Sequence, residues 1–128
     1  GIQAPPNMQA EQLYEAIRMG FFRDQISRFR AIFGCRTIEG ARQFAAKYPG
    51  GSATAQFAIW RVEATKFAEF DLHLVNGHIS YPHTHDTALD YWSGHHSPTP
   101  LLEVLMEPPV RVVEFVEMVP NPNPAPAP

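Results

Sequence analysis

The sequence holds few of the residues that stabilise a chain covalently or place it in a membrane. It has 128 residues and one cysteine, Cys35, which excludes an internal disulfide and any cysteine-based zinc cluster. No apolar run approaches the roughly 20 residues that a membrane-spanning helix needs, and no charged-then-apolar signal peptide opens the sequence. The glycine-rich phosphate loops and the nucleophile elbow of known enzyme classes are also missing. We therefore expect a domain held together by its apolar core, with no membrane partner.

Apolar residues, by contrast, are plentiful. Hydrophobic residues make up 45% of the chain and aromatic residues 12%, which is enough for the core of one domain. The last residues are rich in proline, which cannot donate to a sheet and favours an extended chain. We predict a single domain over residues 1–118 and a Pro-rich tail over residues 119–128.

Charge is distributed unevenly along the chain. The formal net charge is −3, which argues against a general polyanion binder. Residues 18–47 nevertheless carry seven basic against two acidic side chains, whereas residues 63–117 carry two basic against nine acidic ones. Six of the seven basic residues in the first block are arginines, whose planar fork suits phosphate or carboxylate ligands. This block indicates either an anion site or a solvated basic face.

Apolar residues recur at helical spacing in three places. The pattern predicts helices over residues 8–20, over residues 38–48, and from residue 86 or 87 to residue 92. Thr37 is a suitable N-cap for the second helix, which Pro49-Gly50-Gly51 would end. Gly20 and Gly94 are suitable stops for the first and third helices.

The remaining apolar segments are typical of strands. They lie at residues 30–35, 55–63, 68–74, 101–106 and 110–118. The first is typical of a short buried strand and the second of a central strand. In the third, apolar and polar residues alternate, which indicates a strand with one solvent-exposed face. Asn76-Gly77 is a turn signal. Helices followed by strands predict an α+β fold, in which N-terminal helices pack on a mainly antiparallel sheet.

Histidines offer one route to chemistry, because the chain has six and a single residue separates two of them, His83 and His85. In an extended segment His83 and His85 would point to the same side, as two ligands of one metal ion do. Residues 77–85 match the start of the cupin metal motif, but the carboxylate and the glycine that should follow are out of place. Surface histidines are the simpler interpretation, and no metal is predicted. A metal-dependent enzyme and a ribonuclease toxin with a histidine general base stay open as alternatives.

Two other segments place chemically active residues near strands. Arginines come directly before the strand at residues 30–35, and the aromatic pair Tyr91-Trp92 comes shortly before Glu103, at the edge of a late strand. With their neighbours, these segments resemble bacterial domains of the ADP-ribosyltransferase-like fold, which occur in toxins. The segments that carry the resemblance are, in order, SRFRAIFGC, TIEGARQFA, IWRVEA, FDLHLV, ALDYWSG and PLLEVLMEPPVRVVE.

The resemblance implies a split, mainly antiparallel sheet that grips NAD, the co-substrate, in a cleft. By position, Glu103 takes the role of the catalytic carboxylate on a late strand, and Arg28, with Arg18 as a second candidate, contacts the NAD phosphates. Tyr91 and Trp92 match the aromatic loop near the acceptor, so Trp92 is expected to touch the substrate, and Tyr91 or Trp60 is expected to stack on nicotinamide.

The resemblance also implies an activity without a metal. A mono-ADP-ribosyltransferase transfers ADP-ribose from NAD to a macromolecular acceptor. Family members that modify arginine carry a second Glu or Gln where this chain has Leu101, so RNA and protein both stay open as acceptors. A secreted or delivered effector that acts in the target-cell cytoplasm, blocked by a cognate immunity protein, is the expected context. A non-catalytic RNA- or protein-binding module is the main alternative.

Overall fold

The computed structural model describes residues 6–47, 56–75 and 81–120. In these residues the helices are α1 (Pro6–Phe21), α2 (Ile38–Lys47) and α3 (Tyr81–Trp92). The strands are β1 (Ile32–Gly34), β2 (Gln56–Ala64), β3 (Phe67–Asp71), β4 (Leu102–Met106) and β5 (Val110–Pro120). Every strand pair is antiparallel, so the predicted α+β class is confirmed. The signals at Pro49-Gly50-Gly51 and Asn76-Gly77, and residues 121–128 of the predicted tail, lie outside the described residues.

The strands form two separate sheets. One has the order β1-β4-β3, and the other consists of β2 paired with β5. In β4, Leu105 pairs with Phe33 of β1, and Glu103 pairs with Phe70 of β3. Because side chains alternate along a strand, Glu103 and Leu105 share one face of the three-stranded sheet and Val104 shares the opposite face with its neighbours in register. The fold therefore gives β4 one face toward the helices and one face away from them.

Helices α1 and α3 cover the first of these faces. Their apolar residues meet those of β3 and β4 in one buried cluster that contains Tyr14, Ile17, Ile26, Phe70, Ala88, Tyr91, Trp92 and Leu105. Four aromatic rings of this cluster are in mutual contact, with centroid distances between 4.8 and 5.7 Å. Burial of these large rings stabilises the packing of α1 and α3 on the sheet.

Two helix ends follow the predictions from sequence. The hydroxyl of Thr37 accepts a hydrogen bond from the backbone N–H of Gly40 at 2.9 Å, which confirms Thr37 as the cap of α2. Gly94 has a φ of 82° just beyond α3, a conformation that glycine adopts without strain. Helix α1, however, continues one residue past Gly20.

Two other predictions about local structure are wrong. Helix α3 begins at Tyr81 rather than at residue 86 or 87, because Pro82 is compatible with a first helical turn and does not require an extended chain. Strand β3 ends at Asp71 and is followed by a 3₁₀ turn over Leu72–Leu74. The Asp71 carboxylate accepts the backbone N–H of His73 at 2.9 Å, which caps this turn in place of a further strand pairing.

The predicted burial of two strands is also wrong. Strand β1 is an edge strand in which Ile32 and Phe33 are nearly half exposed, and β2 is one strand of a two-stranded sheet in which Trp60 is 52% exposed. Their apolar side chains line an open cleft instead of a closed core. In the residues that the structure describes, no helix is both long and apolar enough to cross a membrane.

Candidate functional site

Three side chains from distant parts of the chain meet beneath helices α1 and α3. Arg28 lies in the connection between α1 and β1, Tyr91 in the last turn of α3, and Glu103 in the central strand β4. The Arg28 Nη1 group donates to the Tyr91 hydroxyl at 2.7 Å and also to Glu103 Oε2. The Tyr91 hydroxyl donates to the same Glu103 oxygen at 2.8 Å. One carboxylate oxygen therefore receives a guanidinium and a phenol together.

The other edge of the Arg28 guanidinium is held by Glu11 of α1. Its Nε and Nη2 groups donate to the two carboxylate oxygens of Glu11 at 2.7 and 2.9 Å. This is the bidentate geometry in which arginine binds carboxylates and phosphates most strongly. We call these four residues, Glu11, Arg28, Tyr91 and Glu103, the Arg28 network.

The Arg28 network runs from the surface into the interior. The exposed fraction of the side chain falls from 25% for Glu11 to 7% for Arg28 and 1% for Glu103. Burial raises the pKa of Glu103, since the Arg28 charge and the Tyr91 hydrogen bond only partly offset it and the nearby Glu11 charge adds to it. Burial and the Glu103 charge raise the pKa of Tyr91 in the same way, so the phenol stays protonated.

Arg28 itself remains charged. Burial alone would lower the pKa of its guanidinium, but the hydrogen bonds and charges of Glu11, Tyr91 and Glu103 raise it above its ordinary value. The network thus has two carboxylates around one guanidinium. A desolvated carboxylate with a shifted pKa next to a specific charged partner is a feature of many active sites, although structural ion pairs share it.

A cleft of about 1020 Å³ lies between the two sheets and helix α2. Val104 lines it, so the cleft is on the face of the three-stranded sheet that points away from α1 and α3. Aromatic rings from all these elements line it: Phe33, Phe44, Phe57, Trp60, Phe67 and Phe115. The four residues of the Arg28 network are not among those that line the cleft. Phe33 pairs with Leu105, so its side chain lies on the face of the sheet that carries Glu103, and its ring lies 5.1 Å from the guanidinium carbon of Arg28. Phe33 is thus the lining residue of the cleft that also contacts the network. An exposed aromatic surface of this size is typical of a binding site.

Two of the predicted site residues lie elsewhere. Trp92 is 1% exposed, and its indole N–H donates to the backbone carbonyl of Tyr14 at 2.9 Å. The Trp92 ring is therefore enclosed in the core, and so is the ring of Tyr91, which is 0% exposed and stacks on Phe70. The contact of Trp92 with a substrate and the stacking of Tyr91 on nicotinamide stay predictions. The Arg18 guanidinium binds Glu15 at 2.6 Å and the backbone carbonyl of Gln25 at 3.0 Å, outside the Arg28 network. Arg18 ties α1 to the following loop.

The histidine pair does not form the arrangement that a metal site requires. His83 and His85 lie in helix α3, where residues two apart point to different sides, so the expectation of an extended segment is wrong. Within residues 6–47, 56–75 and 81–120 no cluster of three or more metal-binding side chains occurs. The Cys35 thiol is half-buried, and burial together with the Glu103 and Glu69 charges raises its pKa, which makes it a poor nucleophile.

The sequence did not indicate two residues that matter at this site. Glu11 is one of several charged residues on α1, and nothing in the helical period marks it as the partner of an arginine 17 positions later. The apolar run that contains Phe33 predicts a buried strand and gives no sign that this residue lies beside an arginine. The one usable signal for this pair was opposite charge: Glu11 is acidic, and the segment that follows its helix is rich in arginine.

The described residues form a small α+β domain with two antiparallel sheets, a charged network beneath its helices and an aromatic cleft. Residues 3–118 match the family described as "Protein of unknown function (DUF2441)". The chain therefore belongs to the DUF2441 family. A comparison with curated proteins found no match.

Proposed function

We propose that this chain is an NAD-dependent mono-ADP-ribosyltransferase with Glu103 as its catalytic carboxylate. The observation that supports this proposal best is the Arg28 network. It joins Glu103, Arg28 and Tyr91, three residues that the resemblance assigned to one site although they lie up to 75 positions apart. The particular fold of ADP-ribosyltransferases and the roles of these residues are part of the proposal.

The residues of the network fit the chemical groups of NAD. The fork of Arg28 already holds one oxyanion, the carboxylate of Glu11, and a phosphate presents the same pair of acceptors. Phe33 offers an aromatic face beside the guanidinium, and the cleft that it lines has room for a dinucleotide. In this arrangement Arg28 would bind the phosphates of NAD, and the cleft would bind one of the aromatic rings of NAD.

Glu103 would supply the electrostatic part of the reaction. The bond between the nicotinamide nitrogen and ribose C1′ breaks with both electrons leaving on nicotinamide, and the ribose carbon becomes electron-poor before the acceptor bonds to it. A carboxylate that binds the ribose hydroxyls stabilises this positive charge, as in glycoside cleavage. The acceptor gives up a proton to water as its oxygen or nitrogen bonds to C1′, and nicotinamide leaves as a neutral molecule. Tyr91 and Arg28 orient the Glu103 carboxylate for this role.

The test is transfer of label from NAD that carries the label on its adenylate half, with cell lysate as the source of acceptors. Wild-type protein should label a macromolecule, and sensitivity to protease or ribonuclease identifies the acceptor as protein or RNA. The Glu103→Gln variant should lose this transfer. Label that stays in small molecules with both proteins, and no free nicotinamide, would contradict the proposal.

A second candidate function follows from the cleft. Trp60, Phe67 and Phe115 are each about half exposed around it, which suits a non-catalytic module that binds an apolar protein segment. The excess of acidic residues over residues 63–117 favours a protein over RNA as this ligand. Such a module predicts that the Trp60→Ala variant loses partner binding, and that neither the variant nor the wild type releases nicotinamide from NAD.

A further inference from the structure

Glu11 occupies the part of Arg28 that faces outward. Of the groups bound to the guanidinium, Tyr91 and Glu103 lie on its buried side, whereas the Glu11 carboxylate covers the Nε–Nη2 edge and is the most exposed member of the network. A ligand that approaches from solvent reaches this edge first. The edge is a complete oxyanion site, filled by a carboxylate of the chain itself.

The charges around this edge favour replacing Glu11 by a ligand anion. Two carboxylates share one guanidinium, so one of them can leave without removing the neutralising partner of the deeply buried Glu103. Glu11 stands on the accessible side and loses little on returning to water, whereas Glu103 cannot leave the interior. Arg30, two residues beyond Arg28, is exposed. Its charge lies close enough to α1 to contribute to the lowered pKa of Glu15, which is on the same helix as Glu11. It adds positive charge to this side of α1.

A neighbouring pair on the same helix shows the contrast. Glu15, one turn after Glu11, also binds an arginine, at 2.6 Å from Arg18. It further accepts the Ser27 hydroxyl at 2.8 Å, and Arg18 is anchored by the backbone carbonyl of Gln25. This pair joins α1 to the next loop by several bonds and contacts neither Glu103 nor the aromatic cleft residue Phe33.

We propose that Glu11 is an internal competitor for the anion site of Arg28, so that α1 holds the site in a self-inhibited state until a phosphate-bearing ligand displaces the Glu11 carboxylate. The proposal extends the function proposed above, since the ligand considered is the diphosphate of NAD. A purely structural role for Glu11 has the opposite consequence, because its removal would then disorder Arg28 and weaken anion binding.

The experiment measures binding of ADP-ribose by calorimetry to the wild type and to the Glu11→Gln, Glu11→Asp and Glu15→Gln variants. The neutral amide of Glu11→Gln competes less well for the guanidinium, so the dissociation constant should fall by about tenfold or more. Glu11→Asp, whose carboxylate is one methylene shorter, should bind with intermediate affinity, and it decides the matter if Glu11→Gln does not fold. Glu15→Gln, the matched control, should bind like the wild type.

Nicotinamide release from NAD, measured in parallel, separates this inference from the proposed function. Tighter ADP-ribose binding by Glu11→Gln without release of nicotinamide by any variant supports the internal competitor and overturns the transferase. Release by the wild type with unchanged or weaker ADP-ribose binding by the Glu11 variants overturns the competitor alone. Failure of every variant to bind ADP-ribose overturns both.

Discussion

Arg28 and Glu103, which lie 75 positions apart in the chain, form an ion pair whose side chains are 7% and 1% exposed. Both charges have left water. The Glu103 carboxylate is stabilised there by Arg28 and the Tyr91 hydroxyl, and the Arg28 guanidinium by Glu103, Tyr91 and Glu11. The pair therefore fixes the loop after α1 against the centre of the three-stranded sheet. The stability of the domain and the proposed chemistry both depend on it.

Removal of the guanidinium should destabilise the domain strongly. In Arg28→Met, the Glu103 carboxylate is left buried beside Glu11 without a counter-charge, which costs about 3 to 5 kcal/mol of unfolding free energy. Urea unfolding followed by far-UV circular dichroism measures the loss. Arg42→Met is the control, because Arg42 forms its ion pairs on the surface, and its unfolding midpoint should stay close to that of the wild type. Equal midpoints for both variants would refute the structural importance of the pair.

Asp71 should make the domain less stable in acid. Burial by itself raises the pKa of Asp71, but hydrogen bonds from Ser97, Leu101 and His73 outweigh it and lower the pKa below its ordinary value. A lowered pKa in the folded state means that its stabilisation is present above the ordinary carboxyl pKa and is lost as the pH falls through the folded value, below about pH 4.

The Asp71→Asn variant isolates this effect. Its amide group cannot accept all three backbone N–H groups, so at neutral pH the variant should lose about 2 to 3 kcal/mol of unfolding free energy. The difference from the wild type should shrink as the pH is lowered. Unfolding curves at a series of pH values provide the measurement, and a difference independent of pH would show that the Asp71 charge contributes nothing.

Glu103 should show the opposite dependence on pH. Its pKa is raised, chiefly by burial, so folding favours its protonated form more than the unfolded chain does. The contribution of protonated Glu103 to the free energy of unfolding is fully present below the ordinary carboxyl pKa of about 4.3. It is lost as the pH rises through the pKa that Glu103 has in the folded protein. Relative to the neutral Glu103→Gln variant, the wild type should therefore lose stability as the pH rises. The same denaturation series on these two proteins tests the sign, and a relative gain on raising the pH would contradict the burial argument.

The two tryptophans should respond differently to solvent and to NAD. Trp60 is 52% exposed in the cleft, whereas Trp92 is 1% exposed in the core. Iodide should quench the fluorescence of Trp60 and leave that of Trp92 unaffected, as the Trp60→Phe variant would show. If the cleft binds part of NAD, saturating NAD should protect Trp60 from iodide. Unchanged quenching would exclude the cleft as the binding site.

Chelators should leave NAD turnover unchanged. The proposed chemistry uses a carboxylate and a guanidinium, and His83 and His85 point to different sides of α3. The rate of nicotinamide release in EDTA should equal the rate in buffer, and the His83→Ala/His85→Ala double variant should match the wild type. A large loss in EDTA that added metal restores would favour the metal-dependent alternative.

The sequence predicted which segments form helices and strands better than it predicted how deeply they are buried. Thr37 and Gly94 are local signals, and both act as expected. The burial of Phe33 and Trp60 was mispredicted because an apolar run has the same composition whether it fills a core or lines an open cleft. Solvent exposure depends on which elements cover a strand, and that is a tertiary property.

The candidate site divides in the same way. Arg28, Tyr91 and Glu103 were grouped by resemblance, and the structure brings them into contact, although their roles stay predictions. Trp92 was grouped with them because it follows Tyr91. Both side chains are buried in the core cluster, but adjacent residues on a helix point about 100° apart, and the indole N–H of Trp92 binds the backbone carbonyl of Tyr14 instead of the network. Glu11 was missed because its significance lies in a contact that only the folded chain makes.

The most direct test of the account is the rate of nicotinamide release from NAD by the wild type and by Glu103→Gln, with circular dichroism to establish that both are folded. Glutamine keeps the shape of the side chain and removes the charge that would stabilise the electron-poor ribose. The account predicts release by the wild type and a rate lower by about a hundredfold or more in the variant. Equal rates in the two folded proteins, or no release by the wild type, would contradict it.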